Sequence, residues 1–163
     1  MAKQKIHKTN AVRLLDQQKI PYHLQEYEVN EDHLDGVTAA KEVGQPVEKV
    51  FKTLVAKSTK GQLYVFVIPV AKELDLKKAA KAVHEKKIEM LHVKDLLANT
   101  GYIRGGCSPI GMKKHYPTFV DEAVKQVEEV LVSAGKRGMQ LCLTPDNLVT
   151  AAKAEIVDIT VDI

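Results

Sequence analysis

The segments Val50-Phe51-Lys52-Thr53-Leu54-Val55-Ala56 and Leu63-Tyr64-Val65-Phe66-Val67-Ile68-Pro69-Val70, parted by Lys57-Ser58-Thr59-Lys60-Gly61-Gln62, decide the fold. β-Branched and aromatic side chains pack well on a pleated surface, and a short polar interval containing glycine lets the chain reverse, so the pair predicts a β-hairpin. Upstream, Thr9 or Asn10 is placed to cap a helix over residues 11–18 with Val12, Leu15 and Ile20 on its inward side, and Pro21 forbids its continuation. Residues 22–27 then predict a first strand. An acidic loop over 30–35 leads to Val37, Ala40 and Val43 at helical spacing, with Gly44 as a stop.

Downstream of the hairpin, Asp75 caps a helix in which Leu76, Ala79, Ala80 and Val83 recur at i, i+3, i+4 and i+7, while Lys77, Lys78 and Lys81 take the wet side. A short strand at 88–91 and a helix at 93–98 follow, with Gly101 just beyond the helix end. Strands are predicted at 118–121, 129–133 and 139–143, the last two joined by the turn Ala134-Gly135-Lys136-Arg137-Gly138. Thr144-Pro145 opens a helix running to about Lys153, and a final strand covers 155–161. Hairpins mixed with helical crossovers predict an α/β fold with a mixed sheet, curled into a barrel.

Composition bounds the function. The 163 residues are 45% hydrophobic and 28% charged, too apolar for a disordered chain, and the longest apolar run, 65–70, is far short of the roughly 20 residues a membrane helix needs. The start Met1-Ala2-Lys3-Gln4-Lys5 does not resemble a signal peptide. Cys107 and Cys142 are the only cysteines and form no metal-ligand spacing with the six histidines, so no disulfide framework, metal or cofactor is expected and a reducing cytoplasm fits. Residues 1–8 read as a flexible basic tail before a single domain over 9–163. A net charge of +3 permits a polyanionic partner without requiring one.

Two features carry candidate chemistry. Lys52 is a cation within an apolar strand: it acts either as a fixed positive charge toward a phosphate or an oxyanion, or as a lysine reaching out to water at a strand end. Residues 101–111 hold four of the nine glycines, a density suited to a backbone that something approaches closely. Within them, Gly105-Gly106-Cys107-Ser108-Pro109-Ile110-Gly111 lacks the Gly-Lys-Ser/Thr run of a phosphate-binding P-loop and follows a helix instead of preceding one. Its N–H groups and the Ser108 hydroxyl are potential donors to a carbonyl or phosphate oxygen. Cys107 invites a nucleophile reading, yet nothing in the sequence pairs it with His7, His23, His33, His84, His92 or His115, and a small residue in a tight loop explains it as well. Lys77, Lys78, Lys81, Lys86, Lys87, Lys113, Lys114, Lys136 and Arg137 can track a phosphate backbone only if folding gathers them.

Phe51-Lys52-Thr53-Leu54, Leu74-Asp75-Leu76-Lys77-Lys78-Ala79-Ala80, Thr100-Gly101-Tyr102, Gly105 to Lys114 and Gly135-Lys136-Arg137-Gly138, in that order, resemble the YbaK family of Cys-tRNA(Pro) deacylases. The resemblance implies the fold of the prolyl-tRNA synthetase editing domain, a mixed, mostly antiparallel sheet in a barrel-like core ringed by helices. It implies a trans-editing enzyme that clears cysteine from misacylated Cys-tRNA(Pro) through attack by the substrate's own thiol, with the tRNA(Pro) acceptor end and prolyl-tRNA synthetase as partners. By position it makes Lys52 the functional lysine, Tyr27 the N-terminal tyrosine, and Gly105, Gly106, Cys107, Ser108, Pro109 and Gly111 the substrate cradle. Many members have isoleucine where this chain has Cys107, which counts against a required thiol. Some carry aspartate where this chain has Gln140, so no acidic role is assigned there. The rival readings are a deacylase for Ala-tRNA(Pro) and a non-catalytic binding module of the same fold.

Overall fold

A computed structural model describes residues 8–26 and 46–162. The expected helix near Val37 to Val43 and the position of Tyr27 lie outside these residues. The elements, in chain order, are α1 (Asn10–Gln18), β1 (His23–Glu26), β2 (Phe51–Ser58), β3 (Leu63–Pro69), α2 (Leu76–Ala82), β4 (Ile88–Met90), α3 (Val93–Thr100), β5 (Thr118–Asp121), β6 (Val130–Lys136), β7 (Met139–Leu143), α4 (Pro145–Ala152) and β8 (Ala154–Val157). Two short 3-10 turns that the sequence reading missed, Val47–Lys49 and Glu122–Gln126, lead into β2 and out of β5.

Helix starts sit where side chains supply the missing acceptors. Thr9 accepts from the Val12 N–H, Asp75 from those of Lys77 and Lys78, and Thr144 from that of Asn147, with Pro145 at the first helical position. Gly101 closes α3 in the left-handed conformation at φ 85°, a geometry in which glycine avoids the Cβ clash.

The strands form two sheets. One is antiparallel with order β1-β7-β6; the other has order β4-β2-β3-β5-β8, in which β5 runs parallel to both neighbours and the other pairs are antiparallel. The expected hairpin is β2 with β3, pairing Lys52 with Ile68 and Val55 with Val65. The two sheets touch at a single parallel bridge, Val50 to Leu131, so the described strands make a corner and not a closed barrel. The main core lies between the sheets, where Phe51, Val67 and Val120 meet Val132, Leu141 and Leu143 under α1 and α4. A second cluster seats Ala79 and Ala80 of α2 on Phe66, Ile68 and Ala56.

The last strand ends at Val157, four residues before the expected limit. Buried Asp121 takes the chain over from there: its Oδ2 accepts from the Ala123 N–H at 3.0 Å and its Oδ1 from the Ile159 N–H at 3.1 Å, while the Asp75 N–H donates to the Ile159 carbonyl at 2.8 Å. Ile159 is thereby turned into the α2 cluster, and only Thr160, bridged to Leu74, resumes β geometry. No helix among the described residues is long and apolar enough to cross a membrane.

Candidate active site

Alternation along a strand decides which way Lys52 faces. Phe51 enters the core between the sheets and Val55 the cluster around Tyr102, while Val50, Leu54 and Ala56 belong to the opposite face. Lys52 lies on this second face, half-buried, two residues beyond the Val50 bridge. Across that bridge, two residues beyond Leu131, stands Ser133, followed in register on the next strands by Gln140 and Gln25. Lys52, Ser133, Gln140 and Gln25 therefore form one polar row across β2, β6, β7 and β1. Burial pushes the Lys52 ammonium below the ordinary lysine value, and nearby Glu73 pulls it part of the way back.

The glycine segment is packed against the far end of the same β6–β7 hairpin. A Cβ on Gly106 would lie 2.9 Å from backbone atoms of Lys136 and Arg137, so only glycine lets the loop come this close. Arg137 Nε–H donates to the Arg104 carbonyl at 2.9 Å, tying the turn to the loop. The Tyr102 hydroxyl donates to the Ile110 carbonyl at 2.7 Å, closing the neck of the loop. Gly111, at φ 77°, abuts the first residues of α1.

This geometry separates residues that the sequence grouped together. Exposed Gly105 and buried Gly106, whose N–H donates to the Ile103 carbonyl at 2.9 Å, lie against the hairpin whose β6 also carries Ser133, about 10 Å of strand away from Lys136. Cys107, Ser108 and Pro109 turn inward: Cys107 packs with Val55, Val65, Tyr102 and Tyr116, and the fully buried Ser108 hydroxyl accepts from the Ile110 N–H at 3.3 Å. Burial raises the Cys107 thiol to about 12, and burial followed by a 3.0 Å hydrogen bond to Glu129 does the same for Cys142. Both cysteines are unpaired, and their thiols stay protonated at neutral pH. Gln140 and Gln25 were not singled out as site residues; the signal was a polar residue inside each of two otherwise strand-forming runs, which has no face until register is known.

Folding also sorts the lysines. Lys78 is committed at the C-terminal end, donating to Asp158, Asp162 and the Thr160 carbonyl at 2.9–3.2 Å. The Lys113 stem packs against Gly101, and Lys114 lies 5.9 Å from the Tyr116 ring centre. Lys136, Arg137 and Arg104 remain as the basic groups beside the Gly105–Gly106 rim.

Comparison with known proteins follows the same lines. A sequence model described as the aminoacyl-tRNA editing domain matches residues 32–151. The chain belongs to the aminoacyl-tRNA editing family. A full-length family relative from Enterococcus faecalis (strain ATCC 700802 / V583), named "Putative Cys-tRNA(Pro)/Cys-tRNA(Cys) deacylase EbsC", is 50% identical over 161 residues, 98% of each chain. The "Uncharacterized protein YwhH" of Bacillus subtilis (strain 168) is 26% identical over 110 residues, covering 68% of this chain and 69% of its own. Among solved structures, a "putative trans-editing enzyme for prolyl tRNA synthetase" superposes with TM-score 0.83 at 24% identity over 94% of this chain and 96% of that one. "Hypothetical protein APE2540" does so with TM-score 0.85 at 20% identity over 94% and 100%. At these identities the two structures establish the editing-domain fold.

Proposed function

We propose that this chain is an aminoacyl-tRNA deacylase that releases cysteine from misacylated Cys-tRNA(Pro), the substrate's own thiol acting as nucleophile. The observation that carries the reading is a half-buried cation, Lys52, in a chain whose two thiols are both buried and protonated. The enzyme presents no thiolate, so the chemistry suits a substrate that brings its own sulfur. The full-length relative, named for a deacylase of both Cys-tRNA(Pro) and Cys-tRNA(Cys), supports a site that reads cysteine.

In this mechanism the substrate sulfur bonds to its ester carbonyl carbon, the carbonyl-to-ribose oxygen bond breaks, and the thiol proton passes to the ribose oxygen. The tRNA leaves with a free hydroxyl, and water opens the cysteine thiolactone to the free acid. Lys52 stabilises the oxyanion that forms on the carbonyl oxygen, and the site holds carbonyl and thiol in attack geometry. A methylene-sized difference in a pocket contributes only about 1–3 kcal/mol, whereas a step that needs sulfur rejects alanine and proline by chemistry. Tyr27 and the backbone of the cradle contact the aminoacyl end. Arg104, Lys136 and Arg137 take acceptor-end phosphates, and prolyl-tRNA synthetase supplies tRNA identity in the cytoplasm.

The test is deacylation of Cys-, Ser-, Ala- and Pro-tRNA(Pro) by the wild type and Lys52→Ala. Cleavage of the cysteine ester alone, lost in the variant, is expected. Equal clearance of the serine and cysteine esters would sink the thiol mechanism, and clearance of alanine would favour the Ala-tRNA(Pro) reading. Co-sedimentation with prolyl-tRNA synthetase in the presence of tRNA tests the partner.

A further inference from the structure

Gln140 is 6% exposed, and its amide oxygen has no hydrogen-bond partner among the described residues; the same holds for the buried amide oxygen of half-buried Gln25. The two residues stand directly opposite each other across β7 and β1. Ser133, opposite Gln140 on β6, already accepts from the Gly135 N–H at 3.1 Å. Buried acceptors are almost always satisfied, since leaving one unpaired costs stability. Two unpaired side by side on paired strands, at the end of the row that begins with Lys52, call for a donor from outside the described residues. The row is partly exposed at Gln25 and Ser133 on either side of buried Gln140, so a ligand reaches it from the surface.

The aminoacyl ester carries one group of that kind, its α-ammonium, with three N–H donors. We propose that Gln25 and Gln140 form the subsite for this ammonium and are specificity-determining residues of the deacylase, an inference that rests on the aminoacyl-ester reading above. Gln140 lies two strand spacings from the Lys52 strand, about 10 Å, so the two cations are held apart with the reacting carbonyl between them. Neutral amide oxygens accept the ammonium without neutralising it, and its charge keeps drawing electrons from the ester carbonyl. Esters with a blocked or missing α-amine leave both oxygens unpaired and are disfavoured.

The experiment measures calorimetric binding of a non-cleavable adenosine carrying cysteine through a 3′-amide, and of its counterpart carrying 3-mercaptopropionate, which lacks only the amine. The wild type is expected to prefer the amine-bearing ligand at least tenfold. Gln140→Leu is expected to weaken that ligand about tenfold while leaving the amine-free one unchanged, with a melting temperature equal to or above wild type because an unpaired buried acceptor has gone. Gln25→Leu, at a half-buried position, gives the same pattern without depending on the folding of the first variant. Equal weakening of both ligands, or a wild type indifferent to the amine, overturns the proposal. Binding is read without turnover, so a chain that binds the amine yet leaves Cys-tRNA(Pro) intact would refute the deacylase reading and leave the subsite standing.

Discussion

Lys52 is held below the ordinary lysine range because part of its hydration is lost, and Glu73 compensates only in part. Its cation disappears as pH rises through that lowered value. After subtraction of spontaneous ester hydrolysis, kcat/KM on Cys-tRNA(Pro) is therefore expected to fall along an alkaline limb below about 10.4, the usual lysine pKa. Glu73→Gln removes the raising influence and moves the limb to lower pH; an unmoved limb would show that another group titrates. The stability linkage has the opposite direction: between the lowered folded value and the ordinary unfolded one the unfolded chain binds more protons, so the contribution of Lys52 to stability improves as pH rises. At Gly106, an added Cβ meets Lys136 and Arg137 backbone at 2.9 Å, and something must move. Gly106→Ala is expected to lower kcat/KM by about 10-fold to 100-fold, the cost of a loop displaced from the hairpin it packs on. Gly61→Ala is the control, since Gly61 has φ 87° but open space around it: it should cost about 1 kcal/mol of stability and no activity.

Among the elements, the glycine loop depends on its neck. Tyr102 is 4% exposed, and its hydroxyl serves the Ile110 carbonyl. Tyr102→Phe leaves that buried acceptor unpaired and is expected to cost about 1–3 kcal/mol in chemical denaturation. Hydrogen exchange should accelerate first across residues 103–111. The helices show which elements can be read from sequence. Thr9, Asp75 and Thr144 cap their helices through bonds spanning two or three residues, and Gly101 stops α3 by its own backbone freedom, so these ends are legible in sequence, the first only to within the pair Thr9 or Asn10. The end of β8 was not, because Asp121, 38 positions from Ile159, redirects the chain there.

For the whole molecule, the prediction concerns tRNA affinity. Charge counting treats all nine basic candidates alike, but Lys78 is engaged by two aspartates, whereas Lys136 and Arg104 border the cradle. Lys136→Ala and Arg104→Ala should each flatten the dependence of log affinity on log salt by about 0.7, one single-strand phosphate contact apiece, and Lys77→Ala should leave it unchanged. Equal slopes for all three would place the tRNA elsewhere.

The order of residues determined, by itself, every pattern that acts over a few positions: the β2–β3 hairpin, the capped helices, the glycine-dense segment and a cation out of place in an apolar strand. Tertiary structure alone decided that Cys107 and Ser108 turn inward while Gly105 and Gly106 rim a hairpin, that the strands divide between two sheets, and that Lys52, Ser133, Gln140 and Gln25 share a face. Periodicity assigns each strand two faces without saying which neighbour will cover either. That choice comes from register between segments more than 80 residues apart, where burial of the shared core outweighs any local preference.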